Sequence, residues 1–283
     1  MRFGVSSAST TALALALSAL SGSFAFVAHE SEAAGQTAAR RAWLGVEFDG
    51  ARGDGRGVRV RHAVRGSPAW NAGVRDADIL VRIEEAAVSR ADDVIREVGM
   101  HGPGAVVRLA LLRGATEVTL NVTLAAMPDT DEMLRLDKIG APAPNWKGLA
   151  QVSGPVPVGL NELKGRVVIL DFWATWCLAC RMSAPKLTAW QAKFGAQGLS
   201  VIGITDDPVP EASQAARSFG MRYQAIATDP SYTTQRAFGV RALPTVFVID
   251  KRGVIRDVSV GFDPRKEAEM EALVQRLLAE PAP

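Results

Sequence analysis

A chain of 283 residues, 48% hydrophobic and 22% charged, is long enough for two compact cores and has the composition of an ordinary globular protein. Its 32 basic and 30 acidic residues are scattered, and a net charge of +2 leaves no basic stripe that would point to nucleic acid or a membrane surface. The 2 cysteines exclude a disulfide-stapled scaffold, because a bridge from Cys177 to Cys180 closes too short a loop to constrain the unfolded chain.

At the N-terminus, Arg2 precedes the uncharged apolar run Thr11 to Leu20, and Ser23-Phe24-Ala25 offers a small-x-small step. That pattern predicts an export signal over residues 1–25, with an uncleaved anchor as the alternative. The run is short for a bilayer span. Residues 26–41 read as a flexible leader without apolar period.

Short apolar runs then alternate with glycines over residues 42–125. Strands are expected at Trp43 to Phe48, Gly57 to Val64, Ile79 to Ile83, Ala105 to Leu112 and Val118 to Leu124. A turn is expected at Arg113 to Thr116, and a helix at Ala91 to Val98 with Val94, Ile95 and Val98 on one face. This region reads as a small, mostly antiparallel β domain. Residues 126–145, with charge and three prolines, read as a linker.

Beyond it the pattern changes to strands at Val167 to Trp173, Leu199 to Ile204, Tyr223 to Ala227, Thr245 to Ile249 and Val254 to Val260. Helices are expected at Cys180 to Phe194, Glu211 to Phe219, Tyr232 to Phe238 and Arg265 to Leu278. Such mixing indicates an α/β layered domain over residues 146–283.

Val167 to Leu170 is the apolar run of a buried central strand, and it leads through Asp171 to Trp176 into Cys177-Leu178-Ala179-Cys180 at the start of a helix. Unpaired amides and the dipole at a helix N-terminus favour an anion, so Cys177 is the expected nucleophilic thiolate. Cys180, one turn on, is the expected resolving thiol. Asp171 ends the strand beneath the pair, where burial raises its pKa and suits it to accept the second thiol's proton. The alternative is a strand-end acid facing solvent. A metal site needs more ligands than the pair supplies, and His29, His62 and His101 all lie outside this domain, so no metal is expected.

The stretch from Ile139 onward resembles the exported TlpA/ResA-type thioredoxin-like proteins. The resemblance rests on Gly140 to Asn145, Leu163 to Val168 and Phe172 to Cys177. Pro185 falls where that family kinks its active-site helix, Leu243-Pro244-Thr245 matches its cis-proline loop, and Gly261 matches its groove glycine. The resemblance implies protein thiols or disulfides as substrates, an upstream electron donor, and a periplasmic location. It also implies contacts to substrate from Trp176, Leu243, Pro244, Thr245 and Gly261, and no cofactor besides the Cys177–Cys180 disulfide. Two positions depart from the family: Leu178-Ala179 lacks the usual proline, and Ser183 stands where a glutamate is usual. A peroxiredoxin is a neighbouring fold, but Phe172 to Cys177 lacks the proline of its Pro-x-x-x-Thr-x-x-Cys pattern.

Residues 42–125 resemble the PDZ domains attached to HtrA-type proteases. Trp43-Leu44-Gly45-Val46 matches the carboxylate-binding loop, and Gly66 to Ala69 with Ala72-Gly73-Val74 matches the Ser-Pro-Ala and Ala-Gly-Leu signature. Ala77 and Glu84-Glu85-Ala86 depart from the family's turn residues. The resemblance implies a groove for a partner's C-terminal peptide with Leu44, Gly45 and Val46 as contacts, or a spacer without peptide affinity. No Gly-x-Ser-x-Gly and no room for a trypsin-like domain occur, so His62 and His101 read as surface or turn residues. The fold class expected is a small mostly-β PDZ-like domain followed by an α/β thioredoxin fold. The function expected is disulfide reduction, with disulfide donation and a non-enzymatic adaptor as alternatives.

Overall fold

Strict alternation along Val58 to Ala63, with Val58, Val60 and Ala63 buried and Arg59 and Arg61 outside, is the pattern of a strand with one face on a core. The computed structural model describes residues 40–49, 55 and 57–283. The export signal and all but the end of the leader lie outside the described residues.

The first layer runs β1 (Ala42–Trp43), β2 (Val46–Phe48), β3 (Val58–Ala63), α1 (Pro68–Ala72), β4 (Ile79–Ile83), β5 (Ala86–Ala87), α2 (Ala91–Gly99), β6 (Val106–Arg113), β7 (Thr116–Thr123) and β8 (Ala125–Ala126). The sheet order is β2-β3-β4-β6-β7, with β5 beside β4 and β1 paired antiparallel with β8. The strand expected across Trp43 to Phe48 is broken in two, because Gly45 turns at φ +84°. Ile95 does not share the buried face of α2 as expected: Val94 and Val98 are buried and Ile95 is 67% exposed. At about 100° per residue, positions four apart stack while the neighbour points a quarter turn away.

The stretch expected as a linker contains a helix, α3 (Thr130–Lys138). It is started by a capping box in which Asp129 accepts from the Glu132 amide at 2.8 Å and Glu132 accepts from the Asp129 amide at 2.9 Å. On one side, Leu134 and Ile139 pack against the core of the second layer, and Arg135 pairs with Asp257 at 2.8 Å. On the other, Asp137 lies 2.7 Å from His62 Nε2 on β3 and accepts from the Arg65 amide at 3.3 Å. His62 is therefore no bystander. The Asp137 hydrogen bond raises its pKa against the opposing pull of burial, and Asp76 at 3.5 Å adds to the rise.

The second layer consists of β9 (Ala150–Ser153), β10 (Val167–Phe172), α4 (Leu178–Phe194), β11 (Leu199–Thr205), α5 (Val209–Ser218), β12 (Ala225–Thr228), α6 (Thr233–Phe238), β13 (Thr245–Ile249), β14 (Ile255–Val260) and α7 (Pro264–Ala279). Strands are ordered β14-β13-β10-β11-β12-β9; β10, β11 and β12 are mutually parallel and the rest antiparallel. All six residues of β10 are buried, as a central strand covered on both faces requires. Its alternate side chains divide between two cores. Ile169, with Trp173 just past the strand end, joins Leu187 and Trp190 of α4, while Leu170 and Phe172 meet Phe238 and Phe247 on the other face. There Phe172, Phe238 and Phe247 form an aromatic trio with centroids 5.0 to 5.7 Å apart. Each such pair adds about 0.5–1.5 kcal/mol beyond its burial, which fixes the strand that carries the site. Among the described residues no helix is long and apolar enough to cross a membrane.

Candidate active site

The segment leaving β10 is pinned before it reaches the cysteines. Trp173 donates its amide to Ile204 O at 3.1 Å, and both Trp173 and Ala174 are fully buried. Asp207, beyond the end of β11, accepts from the Thr175 amide at 2.7 Å, from the Thr175 hydroxyl at 3.1 Å and from Thr205 at 2.8 Å. The Cys177 amide then donates to Ala174 O at 3.1 Å, closing the turn that delivers Cys177 to the N-cap of α4. Asp207 was not singled out in the sequence. A short polar Thr-x-Asp step after an apolar strand is the signal that could have found it.

Cys177 and Cys180 form a disulfide with Cα atoms 5.2 Å apart. Cys177 Sγ also accepts from the Cys180 amide at 3.1 Å, the contact an N-cap makes with the third helical residue. A sulfur so placed faces the positive end of a helix 17 residues long. A helix N-terminus favours an anion at such a position. Cys180 is the more deeply buried of the two, at 1% exposure against 5%. The apolar side chains around the opening are exposed: Trp176 at 75%, Leu178 at 71% and Met182 at 54%.

Asp171 is fully buried, on the face of β10 that Ile169 and Trp173 share with α4. Burial pushes its carboxyl up to about 7, against the pull of the Tyr223 hydroxyl, which donates to Oδ2 at 2.8 Å. Oδ1 has no partner among the described residues. The strand-end acid facing solvent is thus not what the fold builds. Ser183 is buried and donates to Cys180 O at 3.1 Å, so it fills the position with a hydroxyl tied to its own helix.

Of the other residues singled out, Leu243 and Pro244 are joined by a cis peptide bond, and Thr245 opens β13 opposite Phe172. Gly261, at φ +73°, donates its amide to Pro244 O at 2.8 Å, so the groove glycine and the proline loop are one hydrogen-bonded unit. In the first layer, the Leu44-Gly45 turn is held from inside. Leu44 O accepts from the Ala69 amide at 2.9 Å, and Gly45 O accepts from the Val64 amide at 3.0 Å and from the buried Ser67 hydroxyl at 3.1 Å. Ser67 also caps α1 through the Trp70 amide at 3.1 Å. No acceptor among the described residues pairs with the Leu44 and Gly45 amides, and β2 is an edge strand. Among the described residues no three His, Cys, Asp or Glu side chains gather as a metal site would require.

Residues 139–258 match the AhpC/TSA family and residues 42–124 match the PDZ domain. The thiol-disulfide oxidoreductase ResA of Bacillus thuringiensis is 30% identical over 165 residues, which cover 58% of this chain and 90% of that protein. The chain belongs to the thioredoxin-like thiol–disulfide oxidoreductases. The thiol:disulfide interchange protein DsbE of Xylella fastidiosa, another thioredoxin-like relative, is 31% identical over 154 residues, 54% of this chain and 72% of its own length. The protein DipZ of Mycobacterium bovis is 31% identical over 163 residues, but the match spans only 23% of its length. A crystal structure of a thiol:disulfide interchange protein DsbE from Chlorobium tepidum is 34% identical, covers 50% of this chain and 99% of its own, and has a TM-score of 0.47. The thiol–disulfide oxidoreductase domain of this chain thus carries its disulfide-forming pair at Cys177 and Cys180, preceded by a PDZ domain.

Proposed function

We propose that the protein is an exported protein-disulfide reductase whose PDZ domain recruits a protein partner. The observation that carries this reading is the pair at the head of α4, with one sulfur on the helix N-terminus and a buried carboxyl on the strand beneath. In the reduced enzyme the Cys177 thiolate attacks a substrate disulfide, forming a mixed disulfide and releasing one substrate thiolate. Cys180 then gives its proton to Asp171 and attacks Cys177 Sγ, releasing the second substrate thiolate. The enzyme is left as the Cys177–Cys180 disulfide, oxidised by two electrons. An upstream dithiol donor returns those electrons. Trp176, Leu243 and Gly261 line the approach and hold the substrate chain, whereas Pro244 and Thr245, expected as contacts, are buried, with the Thr245 hydroxyl donating to Ala242 O at 2.7 Å. Arg2 and the apolar run Thr11 to Leu20 support export to the periplasm.

The potential of the pair tests the direction. Purified protein equilibrated with defined thiol buffers is expected to poise near about −270 mV, the range of a reductant that needs an electron supply. A value near about −120 mV would instead make it a disulfide donor. A pair that never exchanges leaves only the adaptor.

The recruiting role of the PDZ domain draws its support from the Leu44-Gly45 turn, whose carbonyls are used internally and whose amides have no acceptor among the described residues. A partner strand laid along Val46 on the edge of β2 would bring its terminal carboxylate to those amides. Fluorescent peptides with a free C-terminus are expected to bind at least about tenfold more tightly than their amides, since hydrogen bonds to a charged group are worth about 1.5–3 kcal/mol. Equal binding would make this layer a spacer.

A further inference from the structure

Tyr223 lies just ahead of β12, 52 positions from Asp171 in sequence, yet its hydroxyl is the one hydrogen-bond partner of that carboxyl among the described residues. The sheet register explains how it reaches. Asp171 of β10 pairs across the parallel ladder with Gly203 of β11. A Cβ on Gly203 would lie 3.1 Å from Trp173 Nε1 and 3.2 Å from Cδ2 of the Tyr223 ring. The glycine's backbone is not at positive φ, so its small size serves space and not a turn. The bare position is what lets the tyrosine ring slide beneath the neighbouring strand.

We propose that Tyr223, admitted by Gly203, is a positioning residue for Asp171: it holds Oδ2 and leaves Oδ1 as the oxygen that takes the proton from Cys180. The proposal rests on the reading of Asp171 as proton acceptor and adds how that acceptor is oriented and tuned. Asp171 pairs across the sheet with Gly203 on β11 and Val246 on β13, its face of β10 is the one whose core includes Trp173 and both cysteines, Tyr223 donates to it, and no ion pair reaches it among the described residues. The phenol is therefore the group that opposes desolvation. Burial and the adjacent carboxylate push the Tyr223 hydroxyl well above its usual value, so it remains a donor throughout the working range. A donor to a buried carboxylate favours its charged form, and removing it raises the pKa.

The step balances without any other group. The Cys180 S–H bond breaks and its proton goes to Asp171 Oδ1. The sulfur lone pair forms the Cys177–Cys180 bond, and the Cys177–substrate S–S bond breaks with its electron pair leaving on the substrate thiolate. The Tyr223 proton stays on its oxygen throughout.

The test follows the full-length reduced protein reducing insulin under single-turnover conditions from pH 5 to 10, alongside the carboxyl stretch of Asp171 by infrared titration. Tyr223→Phe is expected to move the Asp171 midpoint up by about one unit, slow resolution about fivefold at pH 7, and restore the rate by about pH 9. Gly203→Ala keeps the hydroxyl and presses its Cβ on the Tyr223 ring as well as on the Trp173 indole, so an upward shift in the same direction is expected there as well. It also serves if Tyr223→Phe does not fold. Asp171→Asn removes the titration, and adding Tyr223→Phe to it is expected to change the profile no further. A midpoint that stays put in both single variants, while Asp171→Asn still flattens the profile, overturns the role of Tyr223. A wild-type profile in Asp171→Asn overturns the reading of Asp171 itself, and the inference with it.

Discussion

Replacing Cys177 by serine is expected to lower disulfide reductase activity on the order of 10³-fold or more, because the attacking atom is lost and the one thiol left, Cys180, is buried at 1% exposure away from a protein substrate. Serine is a good N-cap, so the hydrogen bond that Cys177 accepts from the Cys180 amide has a substitute and the helix persists. The bridge closes so short a loop that its removal costs little unfolded-state entropy, so thermal stability is expected to change modestly while turnover disappears. Cys180→Ser separates the two chemical steps. Its Cys177 thiolate still attacks, but nothing resolves the product, and the mixed disulfide with substrate accumulates as a mass adduct released by added thiol. The same variant gives the pKa of Cys177 directly from the pH dependence of alkylation. A value between about 3.5 and 7.5 is the range for a thiolate held at a helix N-terminus. Alkylation that titrates near about 8.5 would mean that the helix gives no activation. Turnover in Cys177→Ser equal to wild type would remove the enzyme altogether.

The redox pair was legible because its signal is local. An apolar run, two cysteines three positions apart and a following helical period need no knowledge of the rest of the chain, and the structure places Cys177 and Cys180 at that strand-to-helix junction. Asp171 was legible for the same reason, as the one carboxylate in the apolar run that leads to the pair, although β10 itself runs on to Phe172. Tyr223 was not. Its run marks the start of a strand, and only the pairing of β10 with β11, which sets Asp171 beside a glycine, turns it into a neighbour of the site. His62 is a similar case, since its partner Asp137 lies 75 positions away on a helix that the apolar period did not reveal. That helix did carry a readable mark in Asp129 and Glu132, the two ends of a capping box, although proline and charge outweighed it. The paired two-residue strands Ala42–Trp43 and Ala125–Ala126 have no period to read. They exist because the two ends of the first domain meet, which is a property of its topology.

Position 171 is where the requirements of folding and of chemistry oppose each other, and Asp171→Asn is expected to separate them. The carboxyl titrates at about 7 in the folded protein, above its ordinary value of 3.8. A carboxyl raised in this way makes the folded state bind the extra proton between those two values. Stability therefore falls as pH rises from about 4 to about 7 and is level above that. A shift of about three units corresponds to roughly 4 kcal/mol lost on the alkaline plateau. Asparagine has no charge to desolvate and still offers an oxygen to the Tyr223 hydroxyl. Its amide N–H groups replace the unpartnered Oδ1, however, and a buried donor without an acceptor costs about 1–3 kcal/mol. The net expectation is a variant more stable than wild type by about 1–3 kcal/mol at pH 8, and less stable than wild type at pH 4. Denaturant melts across this range check it, and the loss of the pH slope is the sharper reading because it does not depend on the amide penalty. Loss of the proton acceptor is expected to slow resolution of the mixed disulfide about 10²-fold at pH 7, the scale of general base catalysis. A variant that is slower yet more stable above neutral pH would show that the buried carboxylate is kept for its chemistry. One that is slower and unstable at every pH would show that Asp171 serves the packing of β10 instead.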